Sequence, residues 1–103
     1  KGLLELRQRI ELFLKHRHSL NYDPEQEILI TVGVSEALDL ALRAILNPGD
    51  GVFIPEPSYV SYWPVTYLAG GSPLYLHTSK ETDFKITAQQ ISDKVKHKTK
   101  ALI

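Results

Sequence analysis

Ile28-Leu29-Ile30-Thr31-Val32-Gly33-Val34-Ser35-Glu36 is the stretch on which the reading of this chain turns. An apolar, β-branched run stops at a glycine, and a helical pattern begins two residues later. Apolar side chains on consecutive positions suit a strand buried on both faces, as in a parallel sheet covered by helices. Gly33 permits a backbone conformation that a β-carbon would oppose. The spacing predicts a strand over Glu27 to Val32, a tight turn, and a helix over Ala37 to Leu46. The first N–H groups of a helix have no partner inside it, and the helix dipole adds positive potential there. Val34 and Ser35 would offer main-chain N–H groups, and Ser35 a hydroxyl, to one anion such as a phosphate. Two readings stand side by side here: a phosphate site, and a plain strand–helix turn with Ser35 as N-cap. A Walker lysine and a G-x-G-x-x-G pattern are both missing, so neither a nucleoside triphosphate nor a dinucleotide is indicated.

Upstream, Leu3 to Arg17 reads as an amphipathic helix. Leu3, Leu6, Ile10, Phe13 and Leu14 recur at three- and four-residue steps, with Glu5, Arg7, Arg9 and Glu11 between them. Lys15, His16, Arg17 and His18 bring positive charge to its C-terminal end, which suits the dipole. His16 and His18 lack a third ligand nearby, so they read as a solvated helix end and no metal site is expected. Asn21 to Pro24 reads as a turn, because Pro24 pushes Asp23 out of the helical region.

Downstream, the helix over Ala37 to Leu46 is apolar almost all round, broken by Asp39 and Arg43 at a spacing that lets them pair. Such a helix belongs in a larger body than this chain provides. Asn47-Pro48-Gly49-Asp50 is a helix stop and turn. Gly51 to Pro55 reads as the next strand, and Pro55-Glu56-Pro57 forces an extended exit. A helix should start between Ser61 and Pro64 and end at Gly70-Gly71. Leu74 to Leu76 is a third strand and Ser79 to Asp83 a polar loop. Thr87 opens a helix to about Lys96, with Gln90 completing a capping box and Ile86 with Ile91 a hydrophobic staple. Ala101 to Ile103 begins a fourth strand. Alternating strands and helices imply an α/β domain with a mostly parallel sheet flanked by helices.

In such a sheet, ligands bind beyond the C-terminal ends of the strands. Gly33 to Ser35 and Pro57 to Tyr59 each follow a predicted strand, so both loops should lie on that edge. One offers anion donors and the other an aromatic ring on a proline-stiffened segment. Together they suit a planar, phosphorylated heteroaromatic ligand. For Tyr59, simple packing is the competing reading, and Tyr62 and Trp63 read as packing residues.

Composition sets outer bounds. The 103 residues carry 12 Lys and Arg against 12 Asp and Glu, so no charge footprint for nucleic acid or an anionic membrane is visible. There is no cysteine, which excludes disulfides, thiolate metal sites and a cysteine nucleophile. No apolar run approaches a membrane span. The chain starts at Lys1 and stops at Ile103 inside an apolar run, so it is expected to be a piece of a longer protein.

Six segments occur in one order with familiar spacings: Thr31 to Leu38, Leu46 to Asp50, Pro55 to Tyr59, Leu68 to Gly71, Asp83-Phe84 and Lys98 to Ala101. In this the whole chain resembles a class I/II aminotransferase of the pyridoxal-phosphate fold-type I superfamily. The resemblance implies that residues 1–103 are a fragment of the cofactor-binding large domain, with pyridoxal 5′-phosphate as cofactor. It implies that the turn at Gly33, Val34 and Ser35 binds the cofactor phosphate and that Tyr59 stacks on the pyridine ring. Val34 stands where a smaller residue is frequent, which matters little if the backbone N–H is used. Gly51 stands where a charged residue is frequent, in what reads as a turn.

The resemblance places the family's Schiff-base lysine, the acidic partner of the pyridine nitrogen, the asparagine beside the cofactor oxygen and the substrate-carboxylate arginine after Ile103. It places a tyrosine that reaches the partner subunit's cofactor just before Lys1. No catalytic residue is therefore expected in this chain, and Lys85, Lys94 and Lys100 read as surface charges. The implied parent is a cytoplasmic homodimer of amino acid metabolism. It would move an amino group between an amino acid, aromatic or acidic, and a 2-oxo acid. A pyridoxal-phosphate lyase shares these segments, and a non-catalytic α/β module is the alternative outside cofactor chemistry. The family sheet order also implies that the strand ending at Val32 lies apart from the other three, so that apolar edges are exposed.

Overall fold

The computed structural model describes residues 1–96 and 98–103. In chain order the elements are α1 (Leu4–His18), α2 (Gly33–Ile45), β1 (Gly51–Glu56), α3 (Tyr62–Leu68), β2 (Ser72–His77), α4 (Ala88–Lys94) and β3 (Thr99–Leu102). They fall into two compact units, Lys1–Ala37 and Leu38–Ile103, with the division inside α2. No helix among the described residues is long and apolar enough to cross a membrane.

In the first unit α1 ends where Ser19 takes a left-handed conformation. The Ser19 and Leu20 N–H groups then satisfy the Lys15 and Leu14 carbonyls at 3.1 and 3.3 Å. The apolar stripe predicted for α1 is only partly covered: Leu3, Leu6 and Phe13 are exposed, while Ile10 and Leu14 are half-buried. The one buried side chain among the residues of α1 is Arg7, 9% exposed, whose spacing predicts a solvated charge. Its guanidinium donates to the Pro24 and Glu25 carbonyls. The turn it clasps runs over residues 24–27, later than expected. Proline suits the second position of a turn and aspartate the first. Accordingly the Asp23 carboxylate accepts the Glu25 N–H at 2.7 Å and the Asp23 carbonyl the Glu27 N–H at 2.8 Å.

The predicted strand over Glu27 to Val32 is not formed. A strand needs a neighbouring backbone, and here the Ile30 N–H meets only the Lys1 carbonyl at 3.1 Å. Ile28 is buried, but Leu29 is 53% and Val32 89% exposed. α2 then begins at Gly33, four residues ahead of the predicted start.

The second unit holds a three-stranded parallel sheet in the order β2-β1-β3. β1 is central, in register with β2 from Gly51↔Ser72 to Glu56↔His77 and with β3 through Val52↔Ala101 and Phe53↔Leu102. Its first four residues are buried, as a doubly flanked parallel strand requires. Gly51 therefore opens a strand rather than lying in a turn. Val52, Phe53 and Ile54 form the core with Leu42, Thr66 and Leu76.

The Asn47 to Asp50 turn closes as the Asp50 carboxylate accepts the Asn47 N–H at 2.9 Å. Asp39 and Arg43 pair at 2.9 Å, which raises the Arg43 pKa through that hydrogen bond and then through its charge. α3 starts inside the predicted window and stops before Gly70-Gly71. A β-carbon on Gly71 would meet Leu46 Cδ1 at 2.8 Å and Thr66 Cγ2 at 3.1 Å, so glycine lets the chain pass close to α3. The predicted capping box forms at Thr87: its hydroxyl accepts the Gln90 N–H at 3.2 Å, and Gln90 Oε1 accepts the Thr87 N–H at 2.8 Å. The loop from Ser79 contains a short 3₁₀ turn, Lys80–Thr82. Lys85 pairs with Asp83 at 2.8 Å, and Lys94 Nζ donates to the Tyr75 carbonyl at 2.7 Å.

Candidate functional site

The candidate residues fall in two groups, one in each unit. In the first unit Gly33 has φ +76°, a left-handed value, with no heavy atom within 4 Å of where a β-carbon would stand. Its conformation, not crowding, selects glycine. The chain turns there directly into α2, so Ser35 sits inside the first turn and is not the N-cap. The simple capping reading of Ser35 therefore falls. The Gly33, Val34 and Ser35 N–H groups lie in the first turn of α2, where the carbonyls four residues earlier are outside the helix, so they have no helical acceptor. Glu36 Oε2 accepts the N–H of Val32, just ahead of these three. Thr31 Oγ1 donates to the Gly33 carbonyl at 2.9 Å, fixing the peptide that follows the glycine.

Gly33, Val34 and Ser35 are thus brought together in one exposed turn. Its donor chemistry is that of a phosphate cradle: consecutive main-chain N–H groups, a hydroxyl, the positive end of a 13-residue helix and open space over a glycine.

In the second unit Tyr59 follows the C-terminal end of β1, as the strand assignment required. Pro57 and Ser58 carry the chain out of the sheet, the Glu56–Pro57 peptide being cis. Tyr59 is 52% exposed. Tyr62 and Tyr59 meet edge to face, with centroids 5.6 Å apart and planes at 80°. The Tyr59 carbonyl accepts the Tyr62 N–H at 3.1 Å. Tyr59 lines an open pocket of about 570 Å³ with Ile54, Glu56, Val60, Trp63 and Tyr75. Trp63 stacks on Tyr67, one helical turn on, at 5.7 Å and 2°. The pocket is therefore aromatic and apolar with one carboxylate, a lining suited to a flat ring.

The expectation that both loops leave strands of one sheet is not met. Only the Pro57 to Tyr59 loop does so, since residues 27–32 add no strand to it.

Residues 1–103 match the family model described as aminotransferase class I and II. This chain belongs to that family. Over 102 residues it is 47% identical to the putative aminotransferase YugH of Bacillus subtilis and 44% identical to that organism's probable N-acetyl-LL-diaminopimelate aminotransferase. Each match covers 99% of this chain and 26% of the relative. Among solved structures, the aromatic aminotransferase from Pyrococcus horikoshii superposes with a TM-score of 0.89 at 40% identity, over 98% of this chain and 27% of that one. The chain spans about a quarter of the length of the relatives it matches. The family depends on pyridoxal 5′-phosphate. Sequence reasoning missed two anchoring residues: Arg7, and Thr78, whose Oγ1 donates to the Glu56 carbonyl at 2.7 Å. Neither lies in a motif; their roles arise from carbonyls that become neighbours only on folding.

Proposed function

We propose that this chain is a segment of the cofactor-binding large domain of a pyridoxal-phosphate-dependent aminotransferase. The parent enzyme moves an amino group between an amino acid, aromatic or acidic, and a 2-oxo acid, as a cytoplasmic homodimer in amino acid metabolism. In this reading the Val34 and Ser35 N–H groups and the Ser35 hydroxyl bind the cofactor phosphate, and Gly33 gives it room. Tyr59 lies against the pyridine ring and orients it. Bound pyridoxal 5′-phosphate supplies the electron sink for chemistry at the substrate α-carbon. The segment contributes anchorage and orientation, and alone it is inactive.

The observation that carries the reading is the first turn of α2, where three N–H groups without a helical acceptor and one hydroxyl stand on consecutive residues. Ser35→Ala in the full-length enzyme tests it. Loss of a hydrogen bond to a charged group, worth about 1.5–3 kcal/mol, should weaken cofactor binding by roughly 10- to 100-fold. Unchanged affinity in a dialysis titration would remove Ser35 from the site.

A further inference from the structure

The last rung between β1 and β2 carries one more hydrogen bond than a ladder needs. Thr78, the residue after β2, donates its N–H to the Glu56 carbonyl at 2.8 Å. Its half-buried side chain adds a second donor to the same oxygen, Oγ1 to the Glu56 carbonyl at 2.7 Å. Any residue but proline could supply the first bond. The second requires a hydroxyl at this position. Two donors from one residue fix the direction of the Glu56 carbonyl, and hence the plane of the peptide through which the chain leaves the sheet.

Two neighbouring contacts brace the same place. His77 Nδ1 lies 2.9 Å from Glu56 Oε2, and Gln90 Nε2 donates to the His77 carbonyl at 3.0 Å. Pro57 follows Glu56 and has no N–H with which to anchor itself. Tyr59 comes two residues later, held from behind by Tyr62. The placement of its ring therefore depends on the angle at which the chain departs from Glu56.

We propose that Thr78 is a positioning residue for Tyr59: its hydroxyl fixes the Glu56 carbonyl and so sets the ring of Tyr59 for stacking on the cofactor. The proposal rests on the reading of Tyr59 given above. Thr78→Val removes the hydroxyl while keeping shape and N–H; Thr78→Ser keeps the hydroxyl. Both are made in the full-length enzyme beside Tyr59→Leu. Pyridoxal 5′-phosphate affinity is measured by dialysis titration, the visible circular dichroism of the bound cofactor reports its orientation, and the thermal midpoint of the cofactor-free form reports the fold. Thr78→Val should bind roughly three- to tenfold more weakly, the effect of a ring contact made out of alignment. Its dichroic band should be reduced, its cofactor-free midpoint unchanged, and Thr78→Ser should restore both affinity and band.

The positioning role is overturned if Thr78→Val matches the parent in affinity and band while Tyr59→Leu weakens binding. A lowered midpoint in Thr78→Val, with no recovery of the band in Thr78→Ser, also overturns it by making the role one of stability alone. If Tyr59→Leu leaves affinity and band unchanged, the stacking reading fails and the positioning role falls with it.

Discussion

Residues 28–32 and residues 51–54 look alike as sequence, and the structure treats them differently. Both are short apolar runs with β-branched residues, and each leads into a candidate ligand-binding loop. β1 lies between two strands with its first four residues buried; the earlier run pairs with no strand among the described residues, and Val32 is 89% exposed. The difference teaches that a buried strand is a property of its neighbours. An apolar run supplies the side chains, but the ladder needs a second backbone on at least one side. The glycine turn after residues 28–32 forms all the same, because it depends on local conformation and on a helix N-terminus.

The comparison can be broken at its strongest point by substitution. Phe53→Ala removes a buried ring from the centre of β1 and should cost about 3–5 kcal/mol. Leu29→Ala, at a half-exposed site in the unpaired run, should stay within about 0.5 kcal/mol. Urea unfolding followed by Trp63 fluorescence measures both, and equal costs would erase the distinction.

The glycines sharpen it. Gly71→Ala drives a methyl group into Leu46 and Thr66 and should cost about 1–3 kcal/mol as overpacking. Gly33→Ala meets open space and bears only the left-handed backbone penalty, about 1–2 kcal/mol. A Leu46→Ala background should relieve the first and leave the second untouched in the same unfolding assay.

Smaller effects belong to the second unit alone. Thr87→Ala removes the N-cap of α4 and should cost about 1 kcal/mol, read as a lower urea midpoint with unchanged slope. The Ser79 side chain, helped by a backbone hydrogen bond, holds the Glu81 carboxyl below its usual pKa. A depressed folded pKa stabilises above the unfolded value and loses that contribution as pH falls through the folded one. Ser79→Ala should therefore move the Glu81 titration upward in an NMR pH series. No movement would show that the serine does not set it.

What was legible in the sequence was local. Thr87 and Gln90 announced the start of α4 because a capping box needs only residues three apart. Asn47 to Asp50, Pro64 near the start of α3 and the Asp39–Arg43 pair were likewise fixed by short-range geometry. The alternation of elements implied a parallel sheet, and β1, β2 and β3 form one. What was not legible depended on distant backbone. Arg7 looked like a surface charge, because the carbonyls of Pro24 and Glu25 that bury it lie far along the chain. α2 starts ahead of the position its apolar pattern predicts, since the turn at Gly33 enters the helix at once. Of the candidate site, Gly33, Val34, Ser35 and Tyr59 were all named from sequence. Thr78 was not, because its hydroxyl matters only once β1 and β2 are in register.

In the function we propose, the first turn of α2 and the ring of Tyr59 both contact one cofactor. A crystal structure of the full-length enzyme soaked with pyridoxal 5′-phosphate tests it most directly. The account predicts phosphate oxygens within about 2.7–3.2 Å of the Val34 and Ser35 N–H nitrogens and the pyridine ring stacked on Tyr59. A phosphate held by another segment, with Ser35 and Tyr59 both away from the cofactor, would contradict it.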